Sequence, residues 1–207
     1  MQAFTRLQGI AAPLPIDNVD TDAIIPSKET QSVSRSGYGD KLFANWRYLP
    51  GTRVPNPDFV LNQTPFDQAV VLIGGSNFGC GSSREAAVWA LVQFGIRAVI
   101  AESFGAIFRN NCIRNGVLPV TLTRGSLDRL LESSRTTGFH LTIDLQTLTV
   151  QTSDLQTWNF EMGALDREML LHGLDEIALT LSRRKEIIAF RDEDRQRRPW
   201  VYLPHRS

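Results

Sequence analysis

The residues best suited to chemistry lie together in a glycine-rich stretch at positions 74–85, which reads GGSNFGCGSSRE. Its glycines let the backbone turn tightly and approach a ligand without obstruction by Cβ atoms. The stretch ends on two hydroxyls and a guanidinium, contributed by Ser82, Ser83 and Arg84. A helix that begins here would add free N–H groups and the positive end of its dipole, which favour an anion. We therefore expect chemistry on an anionic ligand at this stretch.

Ser82 has two interpretations on local physics, and the residue types leave both open. Ser82 and Glu85 fit a capping box, in which the two side chains satisfy free N–H groups at the start of an apolar helix. The Ser82 hydroxyl would otherwise be available for catalysis. Arg84 is harder to explain by capping, because a guanidinium in the first helical turn opposes the helix dipole. Its placement indicates a bidentate carboxylate or phosphate ligand.

Known loop signatures do not match this stretch. A phosphate-binding P-loop ends in Gly-Lys-Ser/Thr, whereas Gly81 is followed directly by Ser82. The dinucleotide fingerprint would need a third glycine at position 84, and no Gly-x-Ser-x-Gly elbow forms around the serines. An inert thiol is favoured for Cys80, because no histidine lies nearby in sequence to activate it. Structural or solvated roles are favoured for the three histidines, His140, His172 and His205.

The flanking sequence predicts the elements that hold the stretch. The apolar run at 69–73 predicts a strand before it, and an apolar helical pattern predicts a helix over about 84–94 that ends at a glycine. This helix is apolar nearly all round and is therefore expected to be buried. Strands at 97–101 and 117–122, with a helix around 106–111 between them, continue the alternation. Strands alternating with helices predict parallel βαβ units with right-handed crossovers.

The rest of the chain is assigned from pattern and composition. Residues 27–68 carry scattered prolines and glycines, so they are predicted to be irregular and either functional or interface-forming. The acidic turn at 17–22 lacks the glycine and glutamate of an EF-hand, which favours side-chain caps over a calcium loop. The domain prediction is a single domain over 1–190 and a tail over 191–207. Downstream elements are predicted as a helix over 126–135, a hairpin formed by 139–145 and 148–152, and helices at about 164–172 and 175–190.

Composition narrows the class of protein. A chain of 207 residues supports a substantial core, and 42% hydrophobic with 21% charged residues is typical of a soluble globular protein. Lys+Arg and Asp+Glu balance at 22 each, which argues against nucleic-acid and membrane partners. No signal peptide or membrane span is predicted, so a cytoplasmic protein is expected. The two cysteines, Cys80 and Cys112, are too few to hold an iron–sulfur cluster.

Several motifs, in the same order along most of the chain, resemble those of the 3-isopropylmalate dehydratase small subunits in the aconitase superfamily. The hallmark is NFGCGSSRE at 77–85, and the N-terminal motif is NVDTDAIIP at 18–26. Further blocks are NPDFVLN at 56–62, FGAIFRNNC at 104–112 with NGVLP at 115–119, and HGLDEIALTL at 172–181. Long motifs in a fixed order are much more specific than a lone glycine pattern.

The resemblance implies a fold, an activity and a partner. The fold would be an α/β swivelling β/β/α domain like the last domain of aconitase, with parallel βαβ units and a C-terminal helical extension. The activity would be that of a hydro-lyase, isomerising 2-isopropylmalate to 3-isopropylmalate by dehydration and rehydration in leucine biosynthesis. It would require a large subunit carrying a [4Fe-4S] cluster, one iron of which acts as a Lewis acid on the substrate hydroxyl. This chain would itself bind no metal or cofactor.

The resemblance also implies roles for individual residues. Ser82 would be the base that removes the proton α to a carboxylate and later returns it. Arg84, with Ser83, would bind a substrate carboxylate, and Arg35 would supply a second carboxylate contact. Supporting positions are implied for three acids, Asp22, Asp20 and Glu85.

Two departures from the family pattern keep alternatives open. The family reads Ser-Arg-Glu-His-Ala, whereas this chain has Ala86 in place of the histidine, which would alter proton handling or the contact with the large subunit. After Pro26 the chain reads SKETQ, which is more polar than the family's lysine followed by apolar residues. A hydrophobic pocket distinguishes alkyl groups by only about 1–3 kcal/mol per methylene, so small changes redirect specificity. The alternatives are a dehydratase subunit for another alkylmalate or a homoaconitate-type acid, and a non-catalytic binding subunit on the same scaffold.

Overall fold

A mixed sheet organises the part of the chain that the computed structural model describes, which is residues 1–30, 36–134 and 139–202. The strands are β1 Arg6–Pro13, β2 Val71–Ile73, β3 Ala98–Ala101, β4 Leu118–Thr121, β5 His140–Asp144, β6 Thr149–Thr152 and β7 Thr157–Asn159. The helices are α1 Thr21–Ile24, α2 Ala44–Arg47, α3 Glu85–Phe94, α4 Ala106–Arg114, α5 Arg124–Ser133, α6 Ala164–His172, α7 Glu176–Ser182 and α8 Arg184–Arg197. Within the described ranges the sheet has seven strands in the order β4-β3-β2-β1-β5-β6-β7.

One half of the sheet is parallel. Strands β1, β2, β3 and β4 pair in parallel, with α3 crossing from β2 to β3 and α4 from β3 to β4. Every residue of β2 and β3 is buried, as expected for parallel strands covered on both faces. The predicted βαβ units are confirmed. Because parallel strands end at one edge, the segments that follow β1, β2 and β3 meet there.

The other half of the sheet is antiparallel. Strand β5 returns beside β1, and β5, β6 and β7 then pair in sequence. The predicted hairpin is confirmed as β5 and β6, and its turn is held by the Asp144 carboxylate, which accepts from the N–H groups of Gln146 and Thr147 at 2.8 and 3.0 Å. Strand β7 was not predicted, because three residues are too few to show an alternating apolar pattern.

Helix α3 is central to the core. Ala87, Val88, Ala90 and Leu91 are fully buried, which confirms the prediction made from its uniformly apolar sequence. It ends where the sequence predicted, since Gly95 adopts a left-handed φ of 117° and its N–H donates to the Leu91 and Val92 carbonyls.

Residues 36–68 form short helical turns and loops, of which the part at 38–47 lies against α3. The Tyr38 N–H donates to Gln93 Oε1 at 2.8 Å, and the Arg47 guanidinium stacks over the Phe94 ring. Phe43, in the same segment, is fully buried in the core. The irregular character predicted for this region is confirmed, and the only α-helical piece among its described residues is the single turn α2.

The chain divides by internal contacts into Met1–Gly173 and Leu174–Ser207. The first unit contains the whole sheet, and its N-terminus is tied down where the Phe4 N–H donates to the Leu170 carbonyl at 2.8 Å. The second unit contains α7 and α8. The boundary predicted at 190 falls inside α8, so residues predicted as the start of a tail continue a helix, and the division into domains stays a prediction. No helix in the described ranges has the length and apolar character needed to cross a membrane.

Candidate active site

The glycine-rich stretch continues from β2 as an extended segment at the carboxyl edge of the parallel sheet. On one side it pairs with the segment that follows β1. The Asn18 N–H donates to the Ser76 carbonyl at 2.8 Å, and the Gly79 N–H donates to the Val19 carbonyl at 2.7 Å. These bonds align the acidic turn at 17–22 with the stretch, although the two are about sixty residues apart in sequence.

On its other side the stretch pairs with the segment that follows β3. The Phe78 N–H donates to the Ser103 carbonyl, and the Gly105 N–H donates to the Phe78 carbonyl, both at 2.9 Å. The Ser103 hydroxyl accepts from the Asn77 N–H at 2.8 Å, which supports the left-handed φ of 53° at Asn77. Hydrogen bonds on both sides therefore fix the backbone up to Cys80.

Glycine is required where the stretch is most crowded. A Cβ added to Gly79, whose φ is +73°, would lie 2.1 Å from Cγ of Phe108. A Cβ added to Gly105 would lie 2.5 Å from the Gly79 carbonyl oxygen. Close approach of the two backbones, together with the left-handed conformation, explains both glycines.

Ser82 does not cap the helix. Helix α3 begins at Glu85 with Arg84 as its N-cap residue, and within the described chain the Arg84 side chain accepts no hydrogen bond from the N–H groups at the start of the helix. The Glu85 carboxylate instead accepts from Nδ2 of Asn115 at 2.9 Å. The capping box is therefore absent from this part of the chain. Ser82 is an exposed residue at the end of the stretch, and its hydroxyl oxygen lies 3.4 Å from Oγ1 of Thr21.

Arg84 is held by Asp22. Nη1 of Arg84 donates to Oδ1 of Asp22 and lies 3.4 Å from the Ile25 carbonyl oxygen. The same Asp22 oxygen accepts from the hydroxyl and the N–H of Ser27, at 2.7 and 3.0 Å. The Ser27 hydroxyl, followed by the Arg84 guanidinium, lowers the pKa of Asp22 below its usual value. The carboxylate is therefore ionised at neutral pH, and the guanidinium beside Ser82 has a fixed counter-charge.

The supporting acids have different surroundings. Asp20 is the N-cap of α1, and its carboxylate accepts from the Ala23 N–H at 2.7 Å, so it fixes the turn that carries Thr21 and Asp22. Glu85 faces Asn115. Ser83 is exposed next to Ser82. Arg35 lies outside the described residues.

Sequence reasoning missed three hydroxyl residues at this site. Thr21 contacts Ser82, Ser27 holds Asp22, and Ser103 holds Asn77. Thr21 had one signal, its position between Asp20 and Asp22 in the N-terminal motif. The other two had none, because their partners are set by the approach of separate segments.

The two cysteines are not arranged as cluster ligands. Cys112 is fully buried in α4, and burial raises the pKa of its thiol far above the usual range. Cys80 is half-buried in the glycine-rich stretch. Across the described residues, no three side chains of the histidine, cysteine, aspartate and glutamate types converge as a metal site. An iron–sulfur cluster needs three or four thiolates, so these residues do not fit one.

Comparison with known proteins gives consistent similarities. The aconitase C-terminal domain family matches residues 1–125. The 3-isopropylmalate dehydratase small subunit of Cupriavidus necator is 52% identical over 206 residues, covering 98% of this chain and 99% of that protein. The protein of the same name from Paracoccus denitrificans is 47% identical, covering 97% and 100%. A crystal structure of 3-isopropylmalate dehydratase from Methanocaldococcus jannaschii is 30% identical, with a TM-score of 0.65, and the match covers 90% of this chain and 99% of that one.

Proposed function

The chain belongs to the 3-isopropylmalate dehydratase small subunits and to the aconitase C-terminal domain family, and on that premise we propose how its site works. It is the small subunit of a hydro-lyase that isomerises 2-isopropylmalate to 3-isopropylmalate in leucine biosynthesis. The swivelling-domain fold implied by the motifs is confirmed by the match to a solved relative. As a small subunit it works with a large one.

One observation carries the assignment of roles. The hydroxyl of Ser82, an exposed residue that caps no helix, lies two residues from a guanidinium that an ionised carboxylate holds in place. A hydroxyl beside an oriented cation suits a reaction in which a proton is removed next to a substrate carboxylate. We assign the base to Ser82 and the carboxylate-binding group to Arg84.

The proton balance of the reaction is simple. In the dehydration, the ionised Ser82 oxygen takes the proton from the carbon α to a carboxylate, and the hydroxyl on the neighbouring carbon takes a proton from solvent and leaves as water. In the rehydration, Ser82 returns that proton to the carbon that lost the hydroxyl, and water adds its hydroxyl to the other carbon and releases a proton to solvent. A [4Fe-4S] cluster on the large subunit supplies the Lewis acid for the hydroxyl group.

Arg84 positions the substrate for that transfer. Its planar fork binds a carboxylate with two parallel hydrogen bonds, which fixes the orientation of the group as well as its charge. Asp22 holds one end of the fork, so the guanidinium is ordered before the substrate arrives. Ser83, exposed beside it, supplies a further donor. Arg35 remains a proposed second carboxylate contact.

The proposed partner is a large subunit that carries the iron–sulfur cluster. A cluster bound by the large subunit accounts for a small subunit with two cysteines, one of them buried in the core. A biosynthetic enzyme of this kind is expected in the cytoplasm.

In the polar segment after Pro26, which prompted the alternative substrates, three of the described side chains make internal contacts, and Gln31 lies outside the described residues. The Ser27 hydroxyl bonds Asp22, the Glu29 carboxylate pairs with Arg53 at 2.6 Å, and the Thr30 hydroxyl donates to the Ser27 carbonyl at 2.7 Å. These contacts stabilise the turn, and the names of the relatives indicate the isopropyl acid. The isopropyl substrate is favoured over a more polar acid because the relatives carry that name.

The test uses the chain assembled with its cluster-loaded large subunit. The complex should interconvert the two isopropylmalates, and competition with methylmalate, dimethylmalate and homoaconitate should show the isopropyl acid preferred. Ser82→Ala should abolish turnover with assembly unchanged, because it removes the base alone. The matched control is Ser153→Ala, an exposed serine in the turn after β6, which should turn over as the parent does. Turnover retained by Ser82→Ala would rule out the base role.

A further inference from the structure

Thr21 is a buried threonine in contact with the end of the glycine-rich stretch. Its side chain and backbone are 2% exposed, although it belongs to the short surface turn α1. Its hydroxyl donates to the Ser82 carbonyl at 3.0 Å and lies 3.4 Å from the Ser82 hydroxyl oxygen. Its N–H donates to the Cys80 carbonyl at 2.9 Å. Thr21 thus contacts the stretch on both sides of Gly81.

The position of Gly81 explains why such a contact matters. Gly81 has a φ of +92° and no side chain to pack, and it immediately precedes Ser82. The ladder of backbone bonds that fixes the stretch ends at Cys80. Beyond that point, the Thr21 hydroxyl ties the Ser82 carbonyl to α1, and the same carbonyl accepts from the Arg84 N–H at 2.9 Å.

Thr21 is itself rigidly held. Asp20 caps the turn through the Ala23 N–H, and the Ile25 N–H donates to the Thr21 carbonyl at 3.0 Å. A turn fixed in this way gives Thr21, and through it Ser82, a reference position that does not depend on the substrate.

The hydroxyl of Thr21 has one proton and two neighbours that can accept it. A carbonyl oxygen only accepts, so Thr21 is the donor to the Ser82 carbonyl, and its lone pairs are free to receive the Ser82 hydroxyl proton. Once Ser82, an exposed residue, has given that proton to solvent, the Thr21 proton can turn toward the negative oxygen. Hydrogen bonds to an ionised acceptor are about twice as strong as neutral ones, so this contact strengthens when the base forms.

We propose that Thr21 is a positioning residue for Ser82, holding its backbone in the neutral state and donating to its oxygen in the ionised state. The inference rests on the proposed role of Ser82 as the base. Thr21 keeps its own proton throughout and changes only the acceptor, so the proton balance of the reaction is unaltered.

The test compares Thr21→Val, which keeps the shape and removes the hydroxyl, with Thr21→Ser, which keeps the hydroxyl. In the assembled enzyme with 3-isopropylmalate, Thr21→Val should lower kcat about 10- to 100-fold, the range for losing one hydrogen bond to a charged group. The pH at which kcat begins to rise should also be higher in Thr21→Val than in the parent, because the ionised Ser82 oxygen is less stabilised. Thr21→Ser should restore both the rate and the pH profile.

The matched control is Thr152→Val. Thr152 is another buried threonine, 3% exposed, whose hydroxyl bonds the turn after β6 in the antiparallel half of the sheet. Thr152→Val should lower the free energy of unfolding and leave kcat at the parental value. If Thr21→Val fails to assemble, the smaller Thr21→Ala carries the same comparison with Thr21→Ser.

Three results would overturn the inference. They are a near-parental kcat without the hydroxyl, no rescue by Thr21→Ser, and a lower kcat with an unchanged pH profile. Its failure is distinguishable from failure of the proposed function. If Ser82→Ala is inactive and Thr21→Val is normal, the role of Thr21 alone is lost, whereas an active Ser82→Ala removes the base itself.

Discussion

Asp22→Asn removes the negative charge that faces Arg84 while keeping an oxygen that can accept from Ser27. The structure predicts that this change separates stability from activity. The pair is partly open to solvent, with 27% of the Arg84 side chain and 53% of the Asp22 side chain exposed. An ion pair of this kind contributes about 0.2–1 kcal/mol, so the free energy of unfolding should fall by no more than that.

The effect on turnover should be larger, because Arg84 must meet a substrate carboxylate in one orientation. A charge-assisted hydrogen bond contributes about 1.5–3 kcal/mol, and a misplacement of about 1 Å at a reacting group costs about 100-fold. We therefore expect kcat/KM for 3-isopropylmalate to fall about 10- to 100-fold in the assembled enzyme.

The assay measures steady-state kinetics and urea unfolding on the same preparations. Asp154→Asn is the matched control, since Asp154 also has a pKa lowered by hydrogen bonds, from Thr152 and then Gln156, but lies in the β6–β7 turn. Its kcat/KM should equal that of the parent. Tighter substrate binding by Asp22→Asn would refute the reasoning, because it would mean that Asp22 competes for Arg84 rather than orients it.

The pH dependence of the same pair has a definite sign. The pKa of Asp22 lies below its ordinary value of 3.8, chiefly through the Ser27 hydroxyl and then Arg84. A lowered pKa gives stability that is present above the unfolded value and lost as the pH falls through the folded one. The difference in unfolding free energy between parent and Asp22→Asn should be constant from pH 7 to about pH 5 and shrink below about pH 4.

Two further predictions concern the stretch and the thiols. Gly79→Ala should destabilise the chain by about 1–3 kcal/mol or more, because the new methyl group would overpack against Phe108. The control Gly51→Ala has a similar φ of +72° but open space around it, so it should cost only the backbone strain of about 1 kcal/mol. Equal losses of the free energy of unfolding in urea would show that Gly79 is not crowded. Labelling of the isolated chain with a thiol reagent should modify Cys80 and spare Cys112, because Cys112 is fully buried and its thiol is held protonated. Denaturant should make Cys112 reactive as well. Rapid labelling of both cysteines in the folded chain would contradict the burial of Cys112.

Local patterns were sufficient for most of the fold. The period-two hairpin, the buried helix α3 and the strands on either side of it all follow from apolar spacing, which depends only on neighbouring residues. Strand β7 was missed because three residues carry too little pattern. The tail predicted from 191 onward begins inside α8, since mixed charges do not themselves end a helix.

The site was predictable in its residue types and not in its contacts. The glycine-rich stretch, its two serines and Arg84 predict an anion site from composition and spacing, because backbone freedom and guanidinium chemistry belong to the residues themselves. The sequence also placed Asp20 and Asp22 in one acidic turn. Those properties are local, so they were readable without a structure.

Only the tertiary structure decided what those residues do to one another. Ser82 and Glu85 fit a capping box in sequence, but α3 begins at Glu85, and Glu85 faces Asn115. Asp22 reaches Arg84, and Thr21 reaches Ser82, because the segments after β1 and β2 run side by side at the edge of the parallel sheet. The physical reason is that a hydrogen bond depends on distance in space, and strand pairing brings together residues about sixty positions apart.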